Sequence, residues 1–209
     1  VLAALENGAE GLVLPLHGTE DLQELFAGVM PQYISIYLLP LGNPVSAFQL
    51  FQDWVESTGV DGSSLHGGML WSPADQVFDH QQDLGLGVEL LEELLELTEG
   101  YPNFKAFCIQ TSRYTESGSN PIDALSFGLG ELVEILDRVS CGPRLVFDNL
   151  FLESSVGEHH FGEVGRQLAF RQLVQNLALL YQVEVEEQEL LLFCQTAHWS
   201  QSVLDAHTN

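Results

Sequence analysis

Residues 104–136 read FKAFCIQTSRYTESGSNPIDALSFGLGELVEIL, and this stretch decides the fold class. It opens on an apolar, β-prone run (104–111) and passes through a polar segment. It then becomes a helix (121–138) that places Leu125, Leu129, Leu132 and Leu136 on one face, with Pro121 suited to the first helical position. A buried strand followed by an amphipathic helix is one β/α unit.

The same unit recurs in both directions. Upstream, strands are predicted at 11–16, 33–41 and 60–65. Helices follow at 20–27, with Thr19 as N-cap, at 47–56, burying Phe48, Phe51 and Val55, and at 88–99, closed by Gly100. Downstream, a strand at 150–156 leads into a long helix at 161–181, and a last strand spans 190–196. Near-continuous apolar strands separated by helices imply an α/β fold with a parallel sheet covered by helices. A doubly wound open sheet and a TIM-type (β/α) barrel both fit. Six units would make a partial barrel, six of the eight β/α units of a complete one. No linker or low-complexity tract interrupts residues 1–209, which read as a single domain, and the opening VLAALENGAE reads as the end of a helix leading into a strand.

Composition narrows the function. Thirty acids face six bases, a net charge of −24, and Lys105 is the only lysine. Nucleic acid and anionic membrane surfaces are excluded as partners, because both need clustered Lys and Arg. A field of this size destabilises the compact state unless salt screens it, so a salt-rich, halophilic-type cytoplasm is expected. No apolar run reaches the roughly 18 residues of a membrane span, and the acidic N-terminus lacks the basic region of a signal peptide. Cys108, Cys141 and Cys194 form no CxxC pair, which suits a reducing compartment and argues against a zinc site or a disulfide framework.

Motifs of general chemistry are sparse. No GxGxxG follows a strand, and neither a GxxxxGK[ST] loop nor a GxSxG elbow occurs. Residues 61–68, DGSSLHGG, resemble a phosphate loop in composition only and read better as a strand-end turn. His160 and Glu163 have an i, i+3 spacing that can ligate iron, but with no second copy a solvated helix N-terminus is the better reading, and no metal is predicted. The polar ends of two strands carry more weight, since ligand sites of parallel α/β folds form there. These ends supply the substrate-binding candidates Arg113, Tyr114 and Glu116 after one strand, and Gln195, Thr196 and Trp199 at the last.

At these segments a family resemblance emerges. Residues 114–135, YTESGSNPIDALSFGLGELVEI, are similar to the methylmalonyl-CoA mutase segment that reads approximately Y-H-E-A-G-A-x-x-x-Q-E-L-A-x-x-L-A-x-x-x-E-Y. Glu116, Gly118, Leu125, Leu129 and Glu134 fall in register. Residues 156–171, VGEHHFGEVGRQLAFR, resemble V-G-x-N-Y-F-x-E-I-A-K-L-R-A-L-R, with Gly157, Phe161, Glu163, Ala169 and Arg171 matching. Residues 195–209, QTAHWSQSVLDAHTN, resemble x-T-S-x-W-x-x-x-x-x-D-P-Y-x-N through Thr196, Trp199, Asp205 and Asn209. The resemblance covers residues 104–209 well, and earlier residues mainly in style.

The resemblance implies a substrate-binding (β/α)₈ barrel threaded by acyl-CoA, here represented by strands two to seven. It implies adenosylcobalamin as cofactor of the assembled mutase, held by a separate domain whose D-x-H-x-x-G run does not occur in these 209 residues. It also implies departures. Arg113 and Thr115 stand where catalytic and non-catalytic subunits respectively carry a histidine. Phe193 replaces another, two residues before Gln195. A loop signature is replaced by His66-Gly67-Gly68-Met69-Leu70. The expected function is a small, catalytically degenerate subunit of a heterodimeric mutase that interconverts (R)-methylmalonyl-CoA and succinyl-CoA, partnered by the catalytic subunit or by a second copy of itself. The alternatives are an acyl-CoA-binding accessory module and a fragment of a self-sufficient acyl-CoA mutase.

Overall fold

The computed structural model describes residues 1–201 and divides into two compact units, 1–108 and 109–209; Asp205 and Asn209 of the last motif lie outside the described residues. The first unit holds α1 (Leu2–Glu6), β1 (Gly11–Leu16), α2 (Leu22–Leu25), β2 (Ser35–Pro40), α3 (Pro44–Thr58), β3 (His66–Met69), α4 (Asp75–Phe78), α5 (Leu84–Leu97) and β4 (Phe104–Lys105). Strand β5 (Phe107–Gln110) crosses the boundary. The second unit continues with α6 (Ser112–Glu116), α7 (Pro121–Leu136), α8 (Pro143–Asp148), β6 (Leu150–Val156), α9 (His160–Leu180) and β7 (Leu192–Thr196). The sheets run β1-β2-β3-β4 and β5-β6-β7, and the strand pairs described are parallel. The fold is therefore mixed α/β with parallel sheets and helical crossovers, as the strand and helix periodicities predict.

In the first unit α3 is the central packing element. Asn43 caps it by accepting from the Ser46 N–H at 3.1 Å, and Pro44 fills the first turn. Its buried face meets an aromatic cluster in which Phe51 stacks on Phe104 at 5.4 Å, Phe48 meets Tyr101 edge-on at 5.4 Å, and Trp54 stacks on Phe26 at 4.4 Å. Offset and edge-on geometries suit the ring quadrupoles and bury large apolar areas.

Several local predictions are corrected. Asp21, not Thr19, caps α2, accepting from the N–H groups of Gln23 and Glu24 at 3.0 and 3.1 Å. Helix α5 ends through Thr98, whose hydroxyl donates to the Leu94 carbonyl at 2.8 Å, so Gly100 is not its cap. Residues 60–65 form a turn capped by Asp61, and the strand lies at His66–Met69, inside the run that the resemblance reads as a loop. The reason is steric. Gly67 adopts φ +144 beside Ile36, where a Cβ would lie 1.8 Å from the Ile36 carbonyl oxygen, so glycine is what lets β3 close on β2. The predicted strand 104–111 breaks at Ala106 into β4 and β5.

In the second unit Leu152, Ser154 and Val156 alternate along β6 with Phe151, Glu153 and Ser155. Gln167 of α9 donates to the Ser154 hydroxyl at 3.0 Å, which marks the helix-covered face. The opposite face, called the inner face below, carries Phe151, Glu153 and Ser155 of β6 with Phe193 and Gln195 of β7; Phe151 and Phe193 meet edge-on at 6.5 Å.

Candidate functional site

The polar residues of the second unit collect at the C-terminal ends of β5, β6 and β7, and their centre is Glu153. This side chain is 2% exposed. One oxygen, Oε1, accepts from Gln195 Nε2 of β7 at 3.0 Å. The other, Oε2, accepts from Ser112 Oγ at 2.6 Å and from the Ser112 backbone N–H at 3.3 Å, both from the first turn of α6. Its backbone carbonyl accepts from both the N–H and the hydroxyl of Thr111, at 3.0 and 2.9 Å. A single residue therefore ties together three strand ends.

The carboxyl is taken out of water, and burial pushes its pKa up to about 7 against the opposing pull of the Ser112 donors, the Arg113 charge and Gln195. At neutral pH it is divided between its acid and its carboxylate. No sequence reading singled out Glu153. The available signal was an acid inside LFLESSV, a strand otherwise suited to burial, where a charge is costly unless it is paired or neutralised.

The predicted site residues separate into distinct places. Gln195 bonds directly to Glu153, and Arg113 acts on it electrostatically. Tyr114 turns onto α7, donating to Glu131 Oε2 at 3.1 Å and packing on Phe127 with ring centroids 5.3 Å apart. Glu116 accepts the His198 backbone N–H at 3.0 Å and so fastens the turn after β7. Thr196 pairs with Val156 at the strand end and is exposed. Trp199 packs over Gly157, where an added Cβ would lie 2.7 Å from its ring.

Beside Trp199 opens a cleft of about 1060 Å³, bordered by Ile122 and Leu125 of α7 and Gly162 and Ala169 of α9. Glu163 and Arg166 also line it, as a buried ion pair at 2.5 Å, and Arg166 donates to the Ser155 carbonyl. The solvated reading of the α9 N-terminus thus fails for Glu163, which is 9% exposed and engaged by Arg166. The hydroxyls of Thr115 and Ser155 meet at 2.7 Å. Among the described residues, no group of three or more His, Cys, Asp and Glu could hold a metal ion, and no helix is long and apolar enough to cross a membrane.

Parallel strands under helical crossovers, with polar side chains gathered at the strand C-terminal ends, define the class: an α/β protein of the kind that builds ligand sites at that end of the sheet. The family model for methylmalonyl-CoA mutase matches residues 3–209, and the chain belongs to that family, in its substrate-binding domain. No curated protein matches the chain. The motif residues have structural roles: Glu116 and Gly157 hold the turn after β7 through His198 and Trp199, and Glu163 pairs with Arg166, which donates to the Ser155 carbonyl of β6.

Proposed function

We propose that this chain is the supporting, catalytically degenerate subunit of an adenosylcobalamin-dependent methylmalonyl-CoA mutase, in a partial barrel formed as a single domain. It contributes stability and subunit pairing while a catalytic partner interconverts (R)-methylmalonyl-CoA and succinyl-CoA in a salt-rich cytoplasm. The observation that carries this reading is Glu153. Both thioesters bear a free carboxylate, and a buried carboxyl on the inner face, only partly offset by the Arg113 charge, disfavours a second negative group nearby. Arg113 and Phe193 standing in place of family histidines supports the same conclusion.

The cofactor does not fit the residues of this site. The hydrogen-bond partners of Glu153 offer hydroxyl, amide and backbone groups and no imidazole. Adenosylcobalamin is assigned to the assembled mutase, outside these strand ends. Pairing is favoured by exposed apolar residues on α9: Phe161, Val164 and Leu168, 89%, 47% and 56% exposed, share a face at helical spacing.

Size-exclusion chromatography with light scattering in molar KCl tests the reading. A 1:1 complex with a catalytic mutase subunit from the same source is expected, with turnover by the mixture and none by this chain alone. A chain that ignores that subunit and runs as a homodimer overturns it. The cleft beside Trp199, large enough for part of an acyl-CoA, favours the accessory-module reading in that event, and acyl-CoA titration of the isolated chain decides it.

A further inference from the structure

The hydrogen bonds around Glu153 have a directional consequence. In the carboxylate form both oxygens only accept, and the donors observed fit that state: Gln195 Nε2 to Oε1, and the hydroxyl and N–H of Ser112 to Oε2. In that arrangement the amide nitrogen of Gln195 is consumed inside the sheet. Its carbonyl oxygen is the group left for the open side, where Gln195 is exposed.

The acid form has different needs. A neutral carboxyl carries one O–H that must be donated, and in a site that is 2% exposed a protein acceptor has to receive it. Two acceptors are in reach: the Ser112 hydroxyl oxygen, already held by the Ser112 donor geometry at 2.6 Å, and the Gln195 amide oxygen once the amide turns over. The second arrangement leaves both Ser112 donors on Oε2 undisturbed. It needs only a half-turn of an exposed, unbranched side chain.

We propose that Glu153 is a proton-controlled positioning residue, whose ionisation decides whether Gln195 presents its carbonyl oxygen or its NH₂ group on the inner face of the β5-β6-β7 sheet. The acid form displays a donor, suited to a carbonyl acceptor. The carboxylate form displays an acceptor and rejects one. The surroundings allow the change. From α6, the Arg113 guanidinium favours the carboxylate and stays charged throughout. From β7, Cys194 has its thiol pushed up by burial and by Glu153 itself, so it remains neutral. From α9, Glu163 and Arg166 neutralise each other. The change is centred near pH 7, where Glu153 titrates.

The test needs only this chain, so its outcome is independent of whether a mutase partner exists. The side-chain NH₂ resonances of Gln195, assigned by their loss in Gln195→Leu, are followed by NMR in molar KCl from pH about 8.5 to about 5.5. The expected result is slow exchange and a hydrogen-bonded shift at the high end, giving way to solvent-like behaviour with one midpoint. Glu153→Gln is expected to hold the acid-type spectrum at every pH. His198, three residues beyond Gln195, is present in both proteins, so its contribution cancels in the comparison. Resonances that do not move in the wild-type chain, or that titrate identically in Glu153→Gln, overturn the proposal. Should Glu153→Gln not fold, Ser112→Ala decides. Loss of a donor to the carboxylate is expected to move the midpoint upward, and an unchanged midpoint overturns the proposal.

Discussion

The indole of Trp199 lies against Gly157 so closely that a β-carbon at position 157 would sit 2.7 Å from the ring. The two residues come from the turns after β7 and β6, and Glu116, beyond β5, fastens the same turn through the His198 N–H. Gly157→Ala is expected to destabilise the chain by about 1–3 kcal/mol, the range for overpacking a filled contact. Trp199→Ala in the same chain should recover most of that loss. Urea unfolding of the two single variants and the double variant in molar KCl checks this as a cycle.

Glu153 makes stability depend on pH in a defined direction. Its folded pKa is raised, so the native state holds a proton that the unfolded chain releases. Its favourable contribution is complete below the ordinary glutamate pKa and is lost as pH rises through about 7. Glu153→Gln should match the wild type in acid and exceed it above neutrality by roughly 3 kcal/mol, the equivalent of the shift. Chemical denaturation of both proteins across that range reads the difference; curves that run parallel at every pH contradict it.

The pair of Glu163 and Arg166 is buried at 2.5 Å. Arg166→Ala leaves a buried carboxylate without its partner and is expected to cost about 3–5 kcal/mol. The double variant Glu163→Gln, Arg166→Met should be less destabilised than Arg166→Ala, although it lacks both charges. Thermal melts of the three proteins show whether pairing, rather than charge itself, is what counts.

A net charge of −24 on 209 residues should make folding salt-dependent. The melting temperature is expected to climb steeply between about 0.1 and 2 M KCl as screening relieves repulsion. A flat profile by calorimetry would remove the salt-rich cytoplasm from the functional reading.

If the exposed side of α9 pairs with a catalytic subunit, Val164→Ser with Leu168→Ser should abolish the 1:1 complex. The isolated chain should keep its stability within about 0.5 kcal/mol per site, the usual effect of a surface change. Light scattering and a melt on the same sample separate these outcomes.

The sequence by itself determined the alternation of strands with the longer helices, because hydrophobic periodicity is local; the short helices α4, α6 and α8 and the caps of α2 and α5 were not legible in it. Strands 11–16 and 150–156 are found at their predicted limits, and Pro121 sits where a helix start accepts it. The sequence also carried the family, through short motifs at the strand ends. It misplaced β3, since His66–Met69 contains two glycines, and only the close approach of the Ile36 carbonyl explains why that segment is a strand. It grouped Tyr114 with Gln195 as ligand residues, although packing sends Tyr114 to Glu131 on α7. It missed Glu153 altogether. A pattern of residue types shows which side chains are polar. What a polar side chain does depends on the partners that reach it and on the water it loses, and those were fixed when Ser112 and Gln195, 83 positions apart in the chain, met on one carboxyl group.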